Sequence, residues 1–181
     1  MIKETVLIKL PILNKDYQVL NYKIEDIVYC FKEFKVLGLY LQNIDSTKHK
    51  KIIPYFKIKD ITEEGIIINS LNDIVSIDNY LEIKHAIDNY KPMIGYEIYS
   101  GKNEILGIVK DALIRIQNGK VLGLIISEGI FDDLINGYSF LPLVKDFNFE
   151  EYKIMLKDNE ELKILSQQGG LKKILGIYQE N

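Results

Sequence analysis

The chain of 181 residues has no tryptophan, one cysteine, two histidines and four prolines, and its longest apolar runs are short. Each shortage excludes something. A lone Cys30 has no internal disulfide partner, so the fold holds without covalent staples and a reducing compartment is expected. Two histidines, His49 and His85, each set among lysines, are too few for a His-rich metal site. Neither stands near a nucleophile in a pattern suited to hydrolysis. No apolar run approaches the ~18–20 residues that span a bilayer, and the N-terminus lacks a basic region, an apolar run and a small-residue cleavage site. The expected location is cytoplasmic, with no membrane span. Charge of one sign is scarce as well. The net −3 divides almost evenly between the halves, and neither carries the positive excess that phosphate neutralisation requires.

The sequence is rich in Ile, Leu, Val and Tyr, a composition that favours half-buried pleated strands. Its main organising feature is an internal repeat. When the chain is shifted by 85 residues, Lys35-Val36-Leu37-Gly38-Leu39 falls on Lys120-Val121-Leu122-Gly123-Leu124, and Asp26 falls on Asp111. Three further residues in the second copy bring Ile53-Pro54-Tyr55 onto Leu141-Pro142-Leu143, and Ile66-Ile67-Ile68 onto Ile154-Met155-Leu156.

The second copy reads as strands over 94–99, 105–116, 120–127, 139–144 and 153–156. The turn cluster Ser100–Asn103 follows the first of these, and Asn118-Gly119 makes a hairpin between the second and third. The first copy reads as strands over 6–10, 19–31, 35–42, 52–56 and 65–69. Its hairpin turn, Lys32-Glu33-Phe34, lacks the Asn-Gly pair and needs another geometry. The spacing predicts a helix over 78–90 and helical segments in 159–178, interrupted by Gly169-Gly170. Two domains are expected, 1–90 and 91–181, in a mostly β protein made of two small antiparallel barrels, each followed by a short helical segment.

Chemistry-bearing patterns are thin. There is no phosphate-cradling glycine loop, no Cys-x-x-Cys and no His-Glu-x-x-His. The acidic pairs Glu63-Glu64, Asp132-Asp133, Glu150-Glu151 and Glu160-Glu161 fall in predicted turns or at a helix start and read as solvated. Cys30 reads as a small buried hydrophobe between Tyr29 and Phe31. Asp26 and Asp111, matched in both copies and set inside strands, are read as acceptors for backbone donors at a bend or bulge. Two loops are candidates for binding. Ile130, Phe131, Leu134 and Ile135 form an apolar cluster suited to docking a protein, and Lys48, Lys50 and Lys51 form a short basic patch suited to an acidic surface or phosphates.

The strings Gly95-Tyr96-Glu97-Ile98-Tyr99-Ser100, Ile105 through Ile114, Gly119 through Ile126 and Leu141-Pro142-Leu143 resemble a PRC-barrel domain. This β-barrel module is shared by a component of the photosynthetic reaction centre and by the C-terminal domain of the ribosome maturation factor RimM. The first copy resembles it through Ile24–Val28, Lys35–Leu39 and Ile53-Pro54-Tyr55. The resemblance implies a non-enzymatic interaction module with no cofactor and a protein partner. The alternative is a factor associated with ribosomes or other RNA–protein particles, with nucleic acid met only through the particle. Self-association is left open by the residues.

Overall fold

A computed structural model describes residues 1–44, 51–88, 92–129, 137–143, 147–150 and 152–156. The chain divides into two compact units. The first comprises Met1–Tyr90 together with Ile114–Val121, and the second Lys91–Leu113 together with Leu122–Asn181. The protein is mostly β, as its composition predicts, and its strands form several sheets.

The first unit begins with β1 (Ile2–Lys3), a single helical turn α1 (Glu4–Leu7) and β2 (Ile12–Leu13). The long hairpin β3 (Tyr22–Cys30) and β4 (Lys35–Asn43) follows, then β5 (Lys51–Pro54), β6 (Ile58–Ile61), β7 (Ile66–Ile68), β8 (Val75–Ser76) and α2 (Leu81–Asp88). Two sheets result, in the orders β3-β4-β5-β8 and β2-β7-β6. The predicted strand over 6–10 is instead the end of α1 and a turn, and the strand lies beyond Pro11. Proline lacks an N–H, but its carbonyl accepts from Ile66 N at 2.9 Å, which starts the β2–β7 pairing. Ile83 anchors α2 on Val28, Ile52 and Ile77, all buried.

The second unit contains β9 (Glu97–Tyr99), β10 (Ile105–Ile114), β11 (Val121–Ser127), β12 (Ser139–Pro142), β13 (Asn148–Glu150) and β14 (Lys153–Met155). Their order in the sheet is β12-β11-β10-β9-β14-β13. Tyr96, Ile98, Val109, Leu124 and Ile154 are buried in its core, and Leu113, Ile125 and Phe140 form a further buried cluster. β2–β7 and β9–β14 run parallel, where the sequence predicts antiparallel strands alone. Among the described residues no sheet closes on itself. The predicted helical tail lies outside the described residues.

Three local devices recur in the two units. First, Gly38 stands opposite Pro54 in the β4–β5 register, and Gly123 opposite Pro142 in β11–β12. Each glycine is required by close approach. A Cβ on Gly38 would lie 2.8 Å from both Ile52 Cδ1 and the Ile53 carbonyl, and one on Gly123 would run into the Phe140 ring and lie 2.7 Å from the Leu141 carbonyl.

Second, a β-bulge falls between Ile24 and Asp26. Ile24 pairs with Leu41 and Ile27 with Leu39, so two residues three apart share the buried face, which an unbroken period of two forbids. The Asp26 carboxyl accepts from Ile27 N at 2.7 Å. In the second unit Val109 and Ala112 are buried at the same spacing, and the Asp111 carboxyl accepts from Ala112 N at 2.9 Å. Both aspartates accept from the N–H of the next residue, and at Asp26 this hydrogen bond sits at the bulge.

Third, Asn14 Oδ1 accepts from the backbone N–H groups of Asp16 and Gln18, with Tyr17 at φ 61°. Ser100 Oγ accepts in the same way from Lys102 and Glu104, with Asn103 at φ 64°.

Candidate functional site

The β3–β4 hairpin closes at Cys30–Lys35 through four loop residues, and the last of these, Phe34, takes φ 51°. Asn118-Gly119 turns the 114–121 segment in a comparable way. Arg115 N donates to Lys120 O at 2.8 Å, Gly119 N donates to Arg115 O at 2.9 Å, and Gly119 sits at φ 71°. The loop is thus longer than the two-residue turn its Asn-Gly pair suggests.

Within the first unit these two loops pair by their main chains. Val36 N donates to Gly119 O at 2.9 Å, and Val121 N donates to Phe34 O at 2.7 Å. Lys35 and Lys120 are bridged directly opposite each other. The hydrogen bonds flank this pair instead of joining it, so it is the kind of antiparallel pair whose side chains approach most closely. Both lysines are exposed. The ion pairs present among the described residues are Lys57–Asp73 at 3.5 Å and Lys84–Asp78 at 2.7 Å, and neither includes Lys35, Lys59 or Lys120.

Beside this bridge the first unit carries a groove of about 940 Å³, lined by the start of β4, the segment Tyr55–Ile61, the start of α2 and Ile116–Asn118. Tyr55 is buried, and its hydroxyl donates to Ile116 O at 2.8 Å. Its ring lies 3.0 Å from where a Cβ on Gly119 would be, so this turn needs glycine for space as well as for its positive φ. The rim is apolar and open. Phe56 is 71% exposed, with its ring edge-on to Tyr80 at 5.7 Å, and Leu81 is 82% exposed. Lys35 and Lys59 line the groove, with Asp60 and Glu82. The Asp60 carboxyl is engaged by Ile61 N at 2.8 Å, at a second bulge.

Burial pushes the Tyr55 hydroxyl up to about 12. Burial, with the neighbouring Tyr152, does the same for Tyr96 in the second unit. Because the folded chain holds these protons more tightly than the unfolded one, their contribution to stability is complete below the ordinary tyrosine pKa of ~10 and is lost as pH rises towards 12. Absorbance at 295 nm should therefore show a late tyrosinate step near pH 12, and Tyr55→Phe should remove part of it. A Tyr55→Phe titration identical to the parent in this range would show that the hydroxyl is not buried.

The candidates read from sequence are placed as follows. Lys51 is half-buried in β5, opposite Leu41 on one side and Ser76 on the other, so its backbone lies inside a sheet. Lys48, Lys50, Ile130, Phe131, Leu134 and Ile135 lie outside the described residues. Cys30 is half-buried and His85 lies on α2. Among the described residues no group of three or more His, Cys, Asp or Glu side chains could hold a metal ion. No helix among them is long and apolar enough to cross a membrane. Sequence reasoning missed the groove. Its one available signal was the adjacent aromatic pair Tyr55-Phe56 at a strand end, of which only one ring could turn inward.

No curated protein matches the chain. Residues 87–163 match the model of the PRC-barrel domain family, in agreement with the resemblance carried by Gly95–Ser100, Ile105–Ile114 and Gly119–Ile126. Over residues 87–163 the chain is thus similar to the PRC-barrel domain family.

Proposed function

We propose that the protein is a non-enzymatic, cytoplasmic interaction module made of two PRC-barrel domains in tandem, 1–90 and 91–181, and that a partner protein docks in the groove of the first unit. The family match over 87–163 supports an interaction role. The tandem reading draws on the recurrent Gly–Pro register, the matched hydrogen bonds of Asp26 and Asp111, and the matched Asn14 and Ser100 turns. The observation that carries the docking site is the exposure of Phe56 and Leu81 at the mouth of a groove, since large apolar side chains grouped at a concavity mark contact surfaces more often than solvated ones. Ile130, Phe131, Leu134 and Ile135 would make a second contact.

The test is photocrosslinking of the full chain with benzoylphenylalanine at position 56 in a lysate of cells that express it. A control carries the probe at Val19, which is equally exposed but does not line the groove. One discrete protein adduct is expected at 56 and none at 19, and adding Leu81→Asp should abolish it. Identical adducts at both positions, or none at 56, would remove the groove from consideration. An adduct that sediments with ribosomal particles would instead support the ribosome-associated reading.

A further inference from the structure

We infer that the groove's partner is an acidic, apolar peptide segment, with its carboxylate received by the Lys35–Lys120 pair and an adjacent Phe- or Leu-like side chain seated against Phe56 and Leu81. This rests on the groove being the docking site. The starting observation is a repulsion that no ion pair among the described residues offsets. Two lysines stand directly opposite each other at the closest cross-strand spacing, an arrangement that is destabilising by itself. Neither belongs to an ion pair among the described residues, and Lys59 on the same groove does not either. A carboxylate placed between two such ammonium groups relieves the repulsion and gains charge-assisted hydrogen bonds from both.

The apolar part of the recognition comes from Phe56, Tyr80 and Leu81, which offer a hydrophobic seat beside the cationic end. A polyanion such as RNA fits less well. Asp60 and Glu82 line the same groove and would repel a phosphate repeat, and the two lysines that line it, with Lys120 opposite one of them, would release few counterions. A segment with one or two carboxylates and one apolar anchor satisfies the lysines without crowding the acids.

The experiment pans a library of short random displayed peptides on the immobilised full chain and measures the affinity of enriched synthetic peptides by fluorescence anisotropy. Three variants are compared with the parent: Lys35→Glu alone, Lys35→Glu with Lys120→Glu, and Leu81→Asp. The double variant keeps a like-charge pair, so its fold is stressed no more than the parent's. The single variant creates an opposite-charge pair and should melt at a higher temperature than the parent.

Enriched peptides should carry Asp or Glu next to Phe or Leu, and their affinity should fall about tenfold or more in the double variant. Replacing the peptide acid by Lys should restore binding to the double variant. Enriched peptides without acids, or indifference to the double variant, would overturn the acidic partner while leaving the groove as a docking site. Peptide binding untouched by Leu81→Asp would overturn the docking site itself. Absence of enrichment overturns the inference, as does binding of an oligouridine, or of a second copy of this chain, in place of peptide.

Discussion

Gly123→Ala should destabilise the protein by about 1–3 kcal/mol or more, as overpacking of a filled core does. The new methyl group would meet the Phe140 ring on one side and the Leu141 carbonyl on the other. Neither can give way. Phe140 is 2% exposed and packs with Leu113 and Ile125, and Leu141 is held in the β11–β12 register opposite Leu124. The matched change, Gly38→Ala, meets Ile52 Cδ1 and the Ile53 carbonyl, both at 2.8 Å, a milder overlap than the one with the Phe140 ring. Its cost should be smaller. Urea or thermal unfolding of both variants gives the comparison, and Phe140→Leu added to Gly123→Ala should recover part of the loss by vacating the space. Equal midpoints for Gly123→Ala and the parent would mean that β11 and β12 do not pack as described.

The second large effect is expected at Asp111. Asp111→Ala removes the acceptor for Ala112 N in a buried setting and should cost about 1.5–3 kcal/mol, the range for hydrogen bonds to a charged group. Asp111→Asn keeps an acceptor oxygen and should lose less. Asp26→Ala should cost less than Asp111→Ala, because Asp26 is only half-buried and water can replace the lost acceptor. Chemical denaturation of the three variants ranks them. An Asp111→Ala loss no greater than that of Asp26→Ala would show that burial does not set the value of this hydrogen bond.

Both sites were legible in the sequence because they depend on identity at a fixed position. A glycine that must yield space, a proline opposite it and an aspartate that accepts from the next backbone N–H leave the same letters in both copies, so a shift of 85 exposes the glycine and the aspartate and a shift of 88 the proline. The Asn14 turn escaped the same comparison for a simple reason. A shift of 85 sets Asn14 on Tyr99, and only a shift of 86 sets it on Ser100, whose side-chain hydrogen bonds it reproduces. β2 was missed with it, since the apolar run before Pro11 outweighed the two residues after it. The groove was illegible because exposure at Phe56 and Leu81 is a tertiary property. In one dimension Phe56 extends the strand before it, and Leu81 joins a helical apolar pattern. The lysine pair was hidden more deeply, since residues 35 and 120 meet only when two loops are brought together.

The parallel pairs have a consequence for how the chain reaches its native state. Ile12 finds Ile66, and Ile98 finds Ile154, across about fifty-five residues of intervening chain, whereas β3–β4 closes across a four-residue loop. Loop-closure entropy and contact order make the long-range pairs late events and the hairpin an early one. In each unit, therefore, an early strand waits for a parallel neighbour that emerges much later, and a nascent chain released before Ile154 would leave β9 without the neighbour that covers its edge.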